Sequence, residues 1–209
     1  SGDLIAGMTG NGRDREYDIV LISAKDGAII RNLTSGFDQS MGFEYLATPG
    51  GRWNSVPWVS GAPQGDRLAY FVRTEKDRSL IVQNVVSRKI EVRINLTTID
   101  APESPDFSPH GKLIAFSGMR DSEADIFTVN LETKEIVNLT KDKFANYAPT
   151  WAPDGRSIVY LVRVSGNEKL FRMDANGANP VQLTFGTHDD GGAQFLDANT
   201  LLFASTAVN

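Results

Sequence analysis

Pro105-Asp106-Phe107-Ser108-Pro109-His110-Gly111-Lys112-Leu113-Ile114-Ala115-Phe116 returns forty-four residues later as Pro149-Thr150-Trp151-Ala152-Pro153-Asp154-Gly155-Arg156-Ser157-Ile158-Val159-Tyr160. A fixed period of about 20–50 residues marks a solenoid, a propeller or an array. Each unit opens with a short segment ending in an aromatic: Trp58, Phe107, Trp151, Phe195. A tight polar turn with glycine follows, at Gly65-Asp66, His110-Gly111 and Asp154-Gly155. Such pairs suit a two-residue hairpin loop with positive φ at both central positions.

Next comes a nearly continuous apolar run, over 68–72, 113–116 and 158–162, which reads as a strand buried on both faces. The third piece alternates: Asp125-Ile126-Phe127-Thr128-Val129-Asn130 is matched by Lys169-Leu170-Phe171-Arg172-Met173-Asp174 and by Asp18-Ile19-Val20-Leu21-Ile22-Ser23. A fourth strand closes on Leu33-Thr34, Leu96-Thr97, Leu139-Thr140 and Leu183-Thr184. Four short antiparallel strands cannot bury two apolar faces alone. Stacked radially they bury them against their neighbours, as propeller blades do.

The expected fold is therefore all-β, a partial or small β-propeller of about four to five blades, each of four antiparallel strands. The partition is a partial blade over 1–34, blades over 56–97, 104–140 and 148–184, and a partial blade over 192–205. On the repeat register the chain enters at the second strand of one blade and leaves after the second strand of a fifth unit. It reads as part of a wheel, or as a wheel whose terminal strands complete one another. Residues 75–92 are the best helical rival, but register makes them strand–turn–strand.

The Pro-x-[Trp/Phe]-[Ser/Ala]-Pro-x-Gly turn, the Asp-Ile-Phe-x-Val-Asn strand and the closing Leu-Thr resemble TolB-like propeller repeats, a WD-type architecture. Related repeats occur in the propellers of tricorn, dipeptidyl peptidase IV and the prolyl oligopeptidases. The order of blades is also similar to propellers attached to secreted bacterial zinc peptidases. This resemblance implies a protein- or peptide-binding platform in the cell envelope, periplasmic or secreted. Unit two departs from the pattern, with a two-residue insertion before its turn at Gly65.

Composition excludes several functions. The net charge of −5 is the wrong sign for a phosphate-reading surface, so nucleic acid is not an expected partner. No stretch approaches the ~20 apolar residues of a membrane helix, and no secretory leader is present. The chain has no cysteine, which removes disulfides, thiolate catalysis and Cys-ligated zinc. It has no His-Glu-x-x-His, no Gly-x-Ser-x-Gly and no P-loop, so no catalytic residue is assigned. The sequons at Asn32, Asn95 and Asn138 all precede the Leu-Thr strand end and read as repeat register. His110 reads as a solvated turn residue.

Two places escape the repeat. The connection over 35–55 carries Phe37, Phe43, Tyr45 and Trp53, and is longer than most connections in compact domains. It packs over one end of the wheel, either as a hydrophobic lid covering a blade edge or as a loop that contacts a ligand or partner. The other place is His188-Asp189-Asp190, before the inner strand of the last unit, with Asp100, Glu103, Asn146 and Tyr147 in the equivalent connections. Such a rim is a plain acidic surface, a seat for Ca²⁺, which takes about 6–8 oxygens, or a surface for a basic peptide. No cofactor is expected, with Ca²⁺ at the channel mouth the minor alternative. The leading function is a non-catalytic propeller module for protein or peptide binding within a larger envelope or secreted bacterial protein. The alternative is a substrate-gating domain for a peptidase whose catalytic domain lies outside the chain. Exposed blade edges also invite pairing between chains.

Overall fold

The computed structural model describes residues 4–10, 17–33, 44–45, 59–61, 65–73, 78–121 and 123–207. Every element among them is a strand: β1 (Leu4–Gly10), β2 (Tyr17–Ser23), β3 (Ile29–Asn32), β4 (Glu44–Tyr45), β5 (Val59–Gly61), β6 (Arg67–Arg73), β7 (Arg78–Asn84), β8 (Ile90–Asn95) and β9 (Asp100–Phe107). There follow β10 (Leu113–Arg120), β11 (Glu123–Asn130), β12 (Ile136–Asn138), β13 (Asn146–Trp151), β14 (Ser157–Val164), β15 (Asn167–Asp174), β16 (Val181–Gln182), β17 (Asp190–Phe195) and β18 (Leu201–Ser205). They form five antiparallel sheets in chain order: β1-β2-β3, then β4 and β5 on β6-β7-β8, then β9 to β12, β13 to β16, and β17-β18. The fold is the expected all-β propeller architecture. Among the described residues the first and last sheets are not hydrogen-bonded to each other.

The apolar runs explain the stacking. Successive side chains of a strand point to opposite faces, so each second strand serves two cores. Leu68, Tyr70 and Val72 pack with Ile19, Leu21 and Leu33 of the first sheet, while Ala69 and Phe71 pack with Ile114, Phe116 and Phe127 of the third. Ala115 joins Trp151, Ile158 and Tyr160 of the fourth sheet, and Val159 and Leu161 face Phe195 and Leu201 of the fifth. Each seam thus has its own core. The aromatic ending the inner strand is wedged there as expected: Phe107 and Trp151 are buried, each against the preceding sheet. Full burial of such a side chain contributes about 1.5–3 kcal/mol.

The Leu-Thr motif has a backbone reason. The N–H of Leu33, Leu96, Leu139 and Leu183 donates to Ile19, Arg78, Ile126 and Leu170 carbonyls, extending the outer strand by one rung. The hydroxyls of Thr140 and Thr184 accept from the Ile126 and Leu170 N–H groups. The sequon asparagines close this corner: Asn95 Oδ1 accepts from Thr97 N and Asn138 Oδ1 from Thr140 N.

Three details differ from the sequence reading. The glycine turns are not two-residue loops with two positive φ angles. Gly111 N donates to Ser108 O and Gly155 N to Ala152 O, and within each turn only the glycine has positive φ, 66° and 69°. Pro109 and Pro153 fix φ near −65° early in the turn, so the reversal falls to the glycine. Second, β9, β13 and β17 bulge at a shared register, with Ser104, Ala148 and Gly192 at φ 52°, 46° and 63°, and β9 has a further irregularity near Ala101. Third, Glu44–Tyr45 pairs with Val72 and Arg73, in line with Val59–Gly61 along the same edge of β6. Tyr45 therefore lends its backbone to the edge of the second sheet, in a stretch that the sequence reading took as connection.

Candidate functional site

The first strands of successive sheets lie side by side. Thr150 Oγ1 donates to Ala193 O at 3.1 Å, and Trp151 N donates to Asp106 Oδ2 at 2.7 Å. All three of β9, β13 and β17 begin at the same end of the array, at Asp100, Asn146 and Asp190. The connections that precede them gather there, and the rim residues named from the sequence lie in or next to those connections.

Most of those residues are engaged with the fold. Asp190 is buried, and its Oδ2 accepts from the equally buried Lys169 Nζ at 2.9 Å, an ion pair between the fourth and fifth sheets. Burial drives the Asp190 carboxyl upward. Hydrogen bonds from Ser205, Lys169 and Thr184 outweigh it and hold the group below the ordinary carboxylate value. His188 Nε2 lies 3.4 Å from Asp190 Oδ1. Asp189 is exposed, but its Oδ1 accepts from Glu168 N at 2.9 Å and Asn167 Nδ2 at 3.3 Å, capping the start of β15.

The equivalent residues divide. Asp100 pairs with Arg78 Nη2 at 2.7 Å on the surface, where such a pair contributes about 0–1 kcal/mol. Glu103 lies inside β9, half-buried, its carbonyl accepting from Ser117 Oγ. Asn146 is fully buried; its Nδ2 donates to Asp142 Oδ1 at 3.1 Å and to Phe144 O at 2.8 Å. Tyr147 packs against the core formed by Val159, Leu161 and Leu170. The residues share one end of the array without converging on one point. Among the described residues no three His, Asp or Glu side chains form a metal-holding group. Phe37, Phe43 and Trp53 lie outside the described residues.

Two features at this end were not singled out from sequence. Lys169 replaces the Asp125 of the preceding unit, and a lysine beginning an alternating strand reads as solvent-facing. Phe144 and Phe185 sit in the connections before β13 and β17, with 40% and 67% of their surface exposed. Lys143 Nζ stands 5.7 Å above the Phe144 ring. Loop phenylalanines carry no periodic signal, and only the fold shows that these two share one end.

Known proteins place the chain in context. The Tol-Pal system protein TolB of Desulfotalea psychrophila is 27% identical over 111 residues, covering 52% of this chain and 24% of that protein. Dipeptidyl-peptidase 5 of Porphyromonas gingivalis is 26% identical over 186 residues, covering 81% of this chain and 26% of that protein. The chain spans about a quarter of the length of each. A solved putative TolB from Agrobacterium tumefaciens superposes with a TM-score of 0.67 at 17% identity, over 87% of this chain and 61% of that one. The family model for the TolB beta propeller domain matches residues 55–207. Sheet order, repeat and family model agree, and the chain belongs to the TolB beta propeller domain family.

Proposed function

We propose that this chain is a non-catalytic propeller module that binds a protein or peptide, as part of a larger periplasmic or secreted bacterial protein. The observation that carries this reading is the exposure of Phe144 and Phe185 at the end where the strand connections gather. Exposed aromatics on a rigid scaffold are the anchors from which protein interfaces take most of their binding energy. The neighbouring carboxylates support the reading in another way. Asp190 is committed to Lys169 and Asp189 to the start of β15, so what this end offers a visitor is contact surface.

The test is capture from a cell-envelope extract by immobilised protein, comparing wild type with the Phe144→Ala/Phe185→Ala double variant and with Asp189→Ala. Loss of a specific captured protein in the double variant supports the reading. Identical capture by all three removes this end as the site.

A second reading is an accessory gate for a peptidase domain in the same polypeptide. It is favoured by the similarity to dipeptidyl-peptidase 5 across most of this chain. The reading frame flanking these residues decides it: a serine-nucleophile or His-Glu-x-x-His domain in frame supports the gate, and an unrelated flank removes it.

A further inference from the structure

Phe185 stands on the connection between β16 and β17, which has little backbone bonding of its own. Among the described residues the amides of 185–188 make no hydrogen bond within the chain. At the start of the connection Lys169 Nζ donates to the Phe185 carbonyl at 3.5 Å. At its end Asp189 N donates to Thr206 Oγ1 at 2.9 Å. Between them His188 turns back onto the fold, its side chain mostly covered and its Nε2 3.4 Å from Asp190 Oδ1.

That oxygen lacks a donor. Asp190 Oδ1 is sealed from solvent with no donor in bonding geometry, although the hydroxyls of Ser205 and Thr184 steady the same carboxylate. A buried acceptor left unpaired is costly. Gly186 makes the room for the ring. At φ 99°, a Cβ there would stand 2.9 Å from His188 Cε1 and 3.1 Å from Nδ1. The imidazole therefore lies against the turn's own backbone, with Nδ1 near Gly186 and Nε2 near Asp190.

The preceding connection is tied down by different residues. Forty-four residues earlier, Lys141, Asp142, Phe144 and Asn146 stand where Phe185, Gly186, His188 and Asp190 stand here. There Asp142 Oδ1 accepts from Phe144 N at 2.8 Å and from Asn146 Nδ2 at 3.1 Å, fastening the connection to the first residue of β13. Glycine at 186 removes that carboxylate, and the tie to the first residue of β17 falls to His188. The place of Lys169 differs as well. It is held by Asp125, whose carboxyl is raised by burial against hydrogen bonds from Asn138 and Thr140.

We propose that His188 is the positioning residue of Phe185: its Nε2–H donates to Asp190 Oδ1 and fixes the 185–189 connection on the array. A closing of about 0.5 Å brings the pair to the ordinary N–H···O distance. A carboxylate acceptor makes such a bond stronger than a neutral one. Lys169 holds Oδ2 of the same carboxylate, so both ends of the connection are fastened to one buried ion pair. What Phe185 serves rests on the binding reading above; the latch itself does not.

The experiment is backbone amide NMR relaxation, with imidazole nitrogen shifts, on the whole chain near neutral pH and without a partner. The chain has only two histidines, so His188→Gln assigns the ring signals. In wild type His188 Nε2 is expected to carry a proton, and the amides of 185–188 to show order parameters of about 0.85. His188→Ala is expected to drop those values below about 0.6 while the amides of β14 stay unchanged. His188→Gln returns a donor at the place of Nε2 and is expected to restore them. His188→Leu fills the space without a donor and is expected to match His188→Ala. Ser205→Ala is expected to leave them in place. A bare Nε2, mobile amides in wild type, or unchanged values in His188→Ala overturns the proposal. So does rescue by leucine equal to that by glutamine, or a loss in Ser205→Ala equal to that in His188→Ala. With no partner present, these outcomes are read apart from the capture experiment on Phe185, and either can fail alone.

Discussion

Asp106 on β9 accepts the backbone N–H of Trp151 on β13 at 2.7 Å, so one carboxylate bridges the inner strands of two sheets. A hydrogen bond to a charged acceptor contributes about 1.5–3 kcal/mol, and its loss strands an amide in the seam. Asp106→Ala is expected to destabilise the chain by about 1–3 kcal/mol in urea unfolding. Asp106→Asn retains an acceptor and should cost less. Equal losses in the two variants would show that the bond is not what Asp106 contributes.

The Lys169–Asp190 pair is buried, and cutting one side leaves a charge in a dry seam. Lys169→Met is expected to cost about 3–5 kcal/mol. The double variant Lys169→Met/Asp190→Leu should regain most of that, because neither charge then remains to be solvated. If the double variant is as unstable as the single, the uncompensated charge is not the cause.

The two buried aspartates titrate in opposite senses. Asp190 is held below its ordinary value near 3.8, so its contribution is full above that pH and is lost as pH falls through the folded-state value. Asp125 is raised above the same value, so the folded chain binds the extra proton and stability is gained as pH falls toward 3.8. Asp125→Asn should flatten the stability profile just above pH 3.8, and Asp190→Asn should flatten it below. Urea midpoints across pH 2–7 read both slopes. Flattening on the same side by both substitutions would contradict this assignment.

Gly177 turns with φ 88° directly under the preceding sheet, where a Cβ would stand 2.7 Å from Leu139 O. Gly177→Ala adds both a left-handed penalty and a clash with backbone that cannot swing away. The expected loss is at least about 2 kcal/mol, read as a drop in Tm. A neutral substitution would mean that the two sheets part there at little cost.

The architecture was legible because its signals are local and repeated. The apolar run 158–162 announces a strand buried on both faces, and the Leu-Thr ends mark where each unit closes. The bulges were not legible, since Ser104 and Ala148 are ordinary residues forced to positive φ by the ladder around them. The candidate site was read less well for a related reason. Asp190 looked like an open rim acid, and what neutralises it comes from Lys169, twenty-one residues earlier and on another sheet. A charge that is balanced only across a seam has no signature in its own neighbourhood. Tyr70 and Gln83 repeat the lesson: their 2.9 Å side-chain bond, continued from Gln83 Nε2 to Leu33 O, ties two sheets through residues that alternate like any others.

Because each hydrophobic cluster is lined by two sheets, no sheet can let go of its core without uncovering its neighbour's. The third sheet is gripped on both faces by clusters rich in fully buried residues, whereas the fifth rests on Val159, Leu161 and Leu170 of the fourth. Loss of order should therefore travel seam by seam, each sheet staying closed only as long as the one packed against it. Amide exchange would record that coupling as protection greatest through β10 and β11, which are clasped from both sides.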